Sequence, residues 1–260
     1  LEQAHQELAA AMDHLQDDID LAGEIQDAML PVERSSPFPD AVSVVPHYQP
    51  EMRVGGDFFD FKSLGDDVMA IGLADVCGHG LHAAFLTGLI KTSFVLGKES
   101  LQFPRQYIET LNGLLNALNP PESFATMVYC TYDRTTRRMR YTNAGHQPLP
   151  VIAASGEPAR PISTNSCLAL GLTDSVEPEE ETIEIPKGTR LVIATDGVTE
   201  SYHENKEMDM FGYDRLLDVV DSNANRSIVD LDRAIHEAVR QHRGDRPQSD
   251  DIATLCLAFH

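Results

Sequence analysis

The sequence predicts an α+β domain in which mostly antiparallel sheets are covered by helices, with one long helix in front of the domain. Three observations predict this class. Short apolar runs bounded by turn residues recur over residues 41–259, four longer segments have helical periodicity, and residues 1–29 have the spacing of a coiled coil. Because 42% of the 260 residues are hydrophobic, the chain has enough apolar material for one large buried core.

Residues 1–30 are predicted to form a coiled-coil helix in front of one domain over residues 31–260. The positions of its seam alternate steps of four and three: Leu1, His5, Leu8, Met12, Leu15, Ile19, Ala22, Gln26 and Met29. Pro31 ends the predicted helix. Because His5 and Gln26 interrupt the seam, we expect only modest pairing into a homodimer, and a helix packed on its own domain is the alternative. The chain starts at Leu1 rather than Met, so we expect an upstream sensor or receiver module, with this piece as the output domain of a response regulator.

The rest of the chain is predicted to contain nine strands and four helices. Strands are predicted at 41–47, 58–62, 68–75, 124–132, 138–143, 149–153, 182–185, 190–194 and 252–259. Helices are predicted at 81–94, 104–118, 213–220 and 228–242. Tight turns such as residues 133–136 join several of the strands, which indicates antiparallel pairing with helices covering the sheets.

The charge of the chain limits its partners. Acidic residues outnumber basic residues by 41 to 20, a formal net charge of −21. Such a chain repels a nucleic-acid backbone, whose binding relies on clustered Lys and Arg, so nucleic acid is not expected as a partner. The same charge repels a phosphorylated substrate unless bound cations neutralise the site. If the chain acts on phosphorylated substrates, it is therefore expected to be a metalloenzyme.

The cysteines and the hydropathy bear on location. Cys77, Cys130, Cys167 and Cys256 lie far apart with no paired spacing, which argues against a zinc knuckle and a disulfide framework. No apolar stretch reaches the roughly 18 residues that cross a bilayer, and no signal sequence opens the chain. We expect a soluble, cytoplasmic protein without a membrane partner.

Two acidic residues flank a predicted hairpin. Asp57 opens one strand, Asp75 closes the next, and the turn between them centres on Asp66. That hairpin places Asp57 opposite Asp75, although a slip of one residue would undo the pairing. Two carboxylates at that separation raise each other's pKa unless a cation lies between them. The hairpin therefore predicts a metal site.

A second pair of strands repeats the pattern. The strand at 190–194 leads into Asp196, and Asp250 with Asp251 precedes the strand at 252–259. These acids are neighbours only if the two strands run antiparallel. Carboxylates without Cys or closely spaced His favour Mg²⁺ or Mn²⁺ over zinc. Two such ions about 4 Å apart bind a phosphate and activate the water that attacks it.

Taken singly these motifs are common turn chemistry, and their joint order is what is specific. Gly55-Gly56-Asp57 also resembles the signature loop of diguanylate cyclases, but that family continues with Glu-Phe where this chain has Phe58-Phe59. The motifs, in chain order, are Val54-Gly55-Gly56-Asp57-Phe58-Phe59-Asp60, Ala74-Asp75-Val76-Cys77-Gly78-His79-Gly80, Asn143-Ala144-Gly145-His146, Thr195-Asp196-Gly197-Val198-Thr199-Glu200 and Asp250-Asp251-Ile252-Ala253-Thr254.

This order resembles that of bacterial PPM (protein phosphatase 2C-like) phosphatases of the SpoIIE-like and RsbU-like class, over roughly residues 20–260. The resemblance implies a sandwich of two antiparallel β-sheets flanked by helices, with two Mn²⁺ or Mg²⁺ ions at one edge and the presence of a third left open. It implies hydrolysis of phosphoserine or phosphothreonine on a partner protein, usually a STAS-type anti-sigma-factor antagonist. The metal contacts it implies are Asp57, Asp75, the backbone carbonyl of Val76, Asp196, and the pair Asp250 and Asp251, of which Asp250 is favoured.

Four further residues have less certain roles in this comparison. His79 either protonates the serine leaving group or caps the helix that starts near Gly80, since family members with a catalytic histidine place it two residues after the aspartate rather than four. His146 is interpreted as supporting a turn. Arg53 either contacts substrate phosphate or is a surface arginine. Asp60 either orients a neighbour or is exposed, and the remaining histidines are treated as bystanders.

Three functions remain under consideration. The first is an active phosphoprotein phosphatase, with Asp57, Asp75 and His79 as catalytic residues, that is switched by packing of the N-terminal helix. The second is a catalytically silent module that sequesters a regulatory protein, which loss of the metal acids would favour. All the expected aspartates are present, so catalysis is preferred. The third, a phosphatase of small phosphomolecules, is weaker because no nucleotide-binding loop is found.

Overall fold

Two five-stranded antiparallel sheets form the centre of the molecule. A computed structural model describes residues 2–31, 35–97, 99–118, 123–154, 156–162, 166–206 and 208–260. The strands are β1 (Val42–Gln49), β2 (Asp57–Ser63), β3 (Val68–Val76), β4 (Ala125–Asp133), β5 (Arg138–Ala144), β6 (Val151–Ala153), β7 (Arg160–Pro161), β8 (Glu181–Glu184), β9 (Arg190–Ala194) and β10 (Ile252–Phe259). The helices are α1 (Glu2–Met29), α2 (Leu81–Leu96), α3 (Pro104–Leu118), α4 (Asp196–Thr199), α5 (Gly212–Asn223) and α6 (Ile228–Arg243), with a short 3₁₀ turn at Ser100–Gln102.

The two sheets pack face to face as a sandwich. Sheet A has the strand order β1-β10-β9-β6-β7, and sheet B has the order β2-β3-β4-β5-β8. Their facing sides share one apolar core that includes Phe59, Leu73, Ile193 and Leu255. The outer face of sheet B packs against α2 and α3, and the outer face of sheet A packs against α5 and α6. The predicted α+β class and the layered sandwich are confirmed.

Most of the predicted elements lie within two residues of those observed. The strand at 190–194, the strand at 252–259 and the helix at 104–118 have the predicted bounds. Strand β6 starts two residues later than predicted, after Pro148 and Pro150, which have no N–H to give to a ladder. The prediction missed β7 and α4, because pieces of two and four residues are too short to have a period.

Helix α1 has two parts with different surroundings. The side chains of Leu8, Met12 and Leu15 are each about 60% exposed in the single chain. Near the C-terminal end, Gly23 and Gln26 are buried against the domain. The predicted helix is confirmed, and its last two turns dock on the domain as the alternative interpretation expected. Leu1 of the predicted seam lies outside the described residues. None of the described helices combines the length and the apolar character needed to cross a bilayer.

Candidate metal centre

The hairpin of β2 and β3 has the predicted register. Asp57 is the direct partner of Asp75 in the antiparallel ladder. The turn closes where Leu64 N donates to Val68 O at 2.8 Å, with Gly65 at a φ of 113°, a conformation that suits glycine. Asp57 is buried and Asp75 is half-buried. Two carboxylates thus lie side by side at one end of sheet B, as predicted.

Strands β9 and β10 bring a second acidic pair to the same edge. They run antiparallel, with Ala194 opposite Thr254, and the following Thr195 N donates to Ala253 O at 3.0 Å. Asp196 then begins the short helix α4. The hydroxyl of Thr195 donates to Asp57 Oδ2 at 2.7 Å and accepts from Ala253 N at 2.9 Å. This hydroxyl joins the two sheets, so the two acidic pairs form one site.

The two adjacent aspartates before β10 have different environments. Asp251 is buried, and its two oxygens accept from Glu51 N at 2.7 Å and Gly56 N at 2.5 Å. Asp250 is exposed, and its Oδ1 accepts from Asp251 N at 2.8 Å. Asp251 therefore fixes the loop that leads into Asp57, while Asp250 faces the open side of the site.

Two glycines allow the backbone of the site to close. A Cβ at Gly56 would lie 2.7 Å from the carbonyl oxygen of Val76, which is closer than real Cβ contacts come. A Cβ at Gly197 would overlap the carbonyl oxygen of Asp251. The carbonyl of Val76 thus lies directly under the glycine that precedes Asp57, beside the carboxylates.

The carboxylates raise the pKa values of one another. Burial, and then the charges of Asp196 and Asp250, raise the pKa of Asp75 to about 7. Burial, followed by the charges of Asp250 and Glu200, raises the pKa of Asp196 to about 6. Burial and the charge of Asp75 raise the pKa of Asp57 well above its usual range, against the hydrogen bond from Thr195. The site therefore has an excess of negative charge that a cation would relieve.

The donor set fits hard divalent cations. Carboxylate oxygens and one backbone carbonyl are the ligands that Mg²⁺ and Mn²⁺ prefer. None of Asp57, Asp75, Asp196, Asp250 and Asp251 forms an ion pair with a described Lys, Arg or His side chain. Within the described chain, no three of them have ligand oxygens that all lie within 4.8 Å of one another. The carboxylates therefore do not close on a single point, which suits more than one ion.

His79 lies in the loop between β3 and α2. Its side chain is exposed and makes no hydrogen bond with a described residue. The N-cap of α2 is Gly80, with a φ of 77° and no side-chain cap. The capping role considered for His79 is therefore wrong, and its ring is available to other groups at the edge that carries Asp75.

His146 connects the sheets beneath the acids. It is fully buried, and burial lowers the pKa of its imidazole to about 4, so the ring is neutral near pH 7. Nε2 therefore donates to Ala194 O at 3.0 Å, and Nδ1 accepts from the Thr126 hydroxyl at 2.8 Å. Its backbone N also donates to Asn143 Oδ1 at 2.7 Å. The turn-supporting interpretation is confirmed, and the histidine additionally holds the end of β9 next to Asp196.

Asp60 and Arg53 have partners that sequence alone did not identify. Asp60 is buried and pairs with Lys91 of α2 at 2.7 Å, so the expectation that it is exposed is wrong. Arg53 pairs with Asp27 of α1 at 3.1 Å and lies against Gly23. It is a partly exposed arginine, as one interpretation had it, but it attaches the loop to the helix.

Gln26 is the neighbour of the site that sequence reasoning missed. Its amide nitrogen donates to Gly55 O at 2.7 Å and to the Thr87 hydroxyl at 3.1 Å, while Gly55 N donates to its Oε1 at 3.0 Å. The side chain is buried. The available signal was a polar residue in an otherwise apolar seam. The end of α1 thus binds the glycine loop that carries Asp57.

Comparisons of sequence relate the chain to a known family. The sequence model of the family described as stage II sporulation protein E (SpoIIE) matches residues 65–260. Protein IcfG of Synechocystis sp. is 27% identical over 245 residues, which cover 81% of this chain and 37% of that protein. The phosphoserine phosphatase RsbU of Bacillus subtilis is 24% identical over 216 residues, which cover 83% of this chain and 63% of that protein. The chain therefore spans between about a third and just under two thirds of the length of these curated relatives.

Solved structures share the fold. The SiaA-PP2C domain of Pseudomonas aeruginosa superposes with a TM-score of 0.82 at 22% identity, covering 97% of this chain and 100% of that chain. The catalytic domain of the serine/threonine protein phosphatase PstP, in complex with 2 manganese ions, superposes with a TM-score of 0.61 at 13% identity, covering 84% of this chain and 98% of that chain. At these identities the likeness is one of fold, and the fold is that of the PP2C domains.

Proposed function

The chain belongs to the SpoIIE family of PPM-type phosphatases, and from that premise we propose that it is a metal-dependent protein serine/threonine phosphatase. One observation carries the proposal. Four separate segments deliver Asp57, Asp75, Asp196 and Asp250 to one edge of the sandwich, where burial and like charge raise the pKa values of the first three. Clustered carboxylates without basic partners are costly to a fold unless cations bind them.

The residues of the site have the following proposed roles. Asp57, Asp75, the Val76 carbonyl, Asp196 and Asp250 hold two Mn²⁺ or Mg²⁺ ions. Such ions, when bound, supply positive charge for the phosphate and acidity for the attacking water. Asp250 is preferred to Asp251 as a ligand, because both oxygens of Asp251 already accept backbone N–H groups.

The remaining groups position the ligands and move a proton. The Thr195 hydroxyl donates to one oxygen of Asp57 and so orients its carboxylate beside Asp75, its partner in the β2–β3 ladder. His79, exposed and without a hydrogen-bond partner among the described residues, protonates the serine or threonine oxygen as it leaves.

The substrate we propose is a phosphoserine or phosphothreonine on a regulatory protein, of the STAS-type anti-sigma-factor antagonist class. The support is family membership together with RsbU, a relative described as a phosphoserine phosphatase. A cytoplasmic location accords with four cysteines that form no disulfide among the described residues.

The test is phosphate release from a phosphoserine-bearing STAS-type protein with Mn²⁺, with Mg²⁺ and with EDTA. Metal-dependent release should be lost in Asp75→Asn and Asp196→Asn and retained in Asp218→Asn, an exposed aspartate on α5 that serves as the matched control. Free phosphoserine and nucleotides assayed in parallel should release little phosphate.

Two outcomes would replace the proposal. If no metal supports release while the partner protein still binds tightly, the chain is the sequestering module. If free phosphomolecules are hydrolysed faster than the phosphoprotein, the substrate class is wrong.

Regulation through α1 is the second part of the proposal. Upstream signals, for instance from a receiver module of a two-component system, change the packing of α1, which pairs as a homodimer through its exposed seam residues Leu8, Met12 and Leu15. The buried Gln26 transmits the change, because it binds Gly55 two residues before Asp57. A bias of a few kcal/mol between two packings is enough for such a switch.

Gln26→Ala tests this link. The variant leaves Gly55 N–H and C=O without their partner, and we expect turnover with saturating Mn²⁺ to fall about tenfold, in line with the loss of groups that orient metal ligands. Gln16→Ala, on the exposed part of the same helix, is the control and should be unchanged. Equal turnover in Gln26→Ala and Gln16→Ala would show that α1 does not control the site.

A further inference from the structure

A second cluster of metal-ligating side chains lies on the outer face of sheet A. His47 of β1 meets Asp232 and His236 of α6, and one ligand atom from each lies within 4.8 Å of the other two. His236 Nε2 is 3.3 Å from Asp232 Oδ1, and the rings of His47 and His236 stack at a centroid distance of 3.5 Å. Within the described chain, no other three His, Cys, Asp or Glu residues come this close.

Two side chains of β10 hold the carboxylate of Asp232 in place. Asp232 is buried, and its Oδ1 accepts from the Thr254 hydroxyl at 3.2 Å and from Cys256 Sγ at 3.7 Å. Asp232 and His236 are four residues apart on one helix, so their side chains leave the same face. Asp232 is thus fixed by β10 and lies beside His236 on one helix, and such supporting bonds orient ligands in metal sites.

A cavity of about 340 Å³ opens in front of these residues. Three arginines line part of it. Arg233 pairs with Asp230 at 2.8 Å and Arg240 pairs with Glu237 at 2.7 Å, which reduces their repulsion of a cation, while Arg243 contacts the neutral side chain of Gln248 at 3.4 Å. The cavity gives water access to an open coordination position.

We propose that His47, Asp232 and His236 bind one divalent transition-metal ion, with Zn²⁺ preferred. Two imidazoles and one carboxylate are a zinc ligand set, whereas Mg²⁺ and Mn²⁺ favour all-oxygen sites such as the aspartate edge. Ligand atoms about 2.0–2.1 Å from a tetrahedral zinc lie roughly 3.3 Å from each other, which is the separation between His236 and Asp232. Because the two rings are stacked, binding must tilt His47, and the cavity provides the space for that rotation.

The site is separate from the aspartate edge and does not depend on the proposed phosphatase activity. Thr254 follows Asp251 by three residues, a distance of about 10 Å along a strand. The ion would join β1 to α6, two elements almost 200 residues apart in sequence, so binding stabilises the folded chain.

The experiment uses metal-stripped protein in excess Mg²⁺, which occupies the carboxylate edge, and adds Zn²⁺ in a calorimetric titration and a thermal scan. We expect one Zn²⁺ per chain and a rise in Tm of about 5–10 °C at a Zn²⁺ concentration 100 times Kd. Binding should weaken at least about 100-fold in His236→Gln and in His47→Gln, because even partners of metal ligands are worth 10–100-fold.

Two controls keep the result specific. His242→Gln removes a histidine of the same helix that bonds Asp209 O and lies outside the cluster, and it should bind Zn²⁺ as the native chain does. Asp75→Asn should also retain the zinc. If Zn²⁺ binding is absent, if it is unchanged in both cluster variants, or if it disappears in Asp75→Asn, the proposal is overturned.

Discussion

Strand β2 carries two buried aspartates in opposite electrostatic situations. Asp60 has a cation from the chain itself, Lys91 Nζ at 2.7 Å, and Phe61 N donates to its other oxygen. Asp57, three residues earlier and equally buried, is surrounded by acids, of which Asp75 acts most strongly. Burial raises the pKa of both carboxylates, but only at Asp60 do neighbouring cations oppose the rise.

This difference in surrounding charge distinguishes Asp60, a carboxylate with a structural role, from Asp57, a candidate metal ligand. A buried carboxylate needs a compensating charge, and the fold supplies one to Asp60 through helix α2. At Asp57 the fold supplies more carboxylates and one threonine hydroxyl. We infer that the compensating charge at Asp57 comes from outside the chain.

The largest expected effect is the loss of the internal cation. Lys91→Met should destabilise the protein by about 3–5 kcal/mol, because it leaves the carboxylate of Asp60 buried without its paired cation. Urea unfolding followed by circular dichroism measures the change. The double variant Lys91→Met with Asp60→Leu should recover most of the loss. If the single variant costs less than about 1 kcal/mol, Asp60 does not need its lysine and the comparison with Asp57 fails.

Asp57→Asn should have the opposite effect on stability when no metal is bound. Phosphatase activity with Mn²⁺ should fall at least about 100-fold, as expected for loss of a ligand. In EDTA the same variant should be more stable than the native chain by about 1 kcal/mol, because a buried like charge is removed. A variant that loses activity and metal-free stability together would indicate that Asp57 is a structural acid like Asp60.

A smaller effect is expected from pH in the absence of metal. The pKa of Asp75, about 7, lies above the value near 3.9 of an unfolded chain, so the folded protein keeps a proton that the unfolded chain has released. This contribution to stability is present below about pH 4 and is lost as pH rises to about 7. His47 and His146, whose pKa values are lowered to about 4, act in the opposite direction between about pH 4 and 6.5.

The contribution of Asp75 to stability is measured as the difference between the native chain and Asp75→Asn. Unfolding free energies of the native chain and of Asp75→Asn in EDTA should converge towards pH 4 and differ at pH 7.5, with the variant more stable there. The full shift corresponds to roughly 4 kcal/mol, and because solvent screens the half-buried carboxyl we expect about 1–2 kcal/mol. Added Mn²⁺ should reverse the order. Parallel curves in EDTA would mean that the carboxylates do not destabilise the metal-free protein.

The pair of Asp57 and Asp75 could be predicted because it depends on local pattern, since its register follows from one short turn. The second acidic pair was predicted only on the condition that its two strands run antiparallel, and the pairing of β10 with β9 meets that condition. The layered class follows in the same way from periodicity, and the family resemblance supplied the sandwich.

The partners of the site could not be predicted, because they come from elements distant in sequence. Lys91 meets Asp60 only once α2 packs on sheet B, and Gln26 reaches Gly55 across 29 residues. His47 and His236 were treated as bystanders, since nothing in their spacing indicates that β1 lies beside α6. Such contacts are set by packing, and the period of a segment carries no information about them.

The position of β10 determines when the site can assemble during synthesis of the chain. This strand lies between β1 and β9, and its register pairs Val42 with Phe259. While the ribosome is still synthesising residues before 250, the hairpin of β2 and β3 can form, but sheet A has a gap where its second strand belongs. Contacts of such long sequence separation form late. A chain that ends before residue 250 therefore has the pair of Asp57 and Asp75 but lacks Asp250 and the strand that positions Asp196, and we expect it to lack the proposed phosphatase activity.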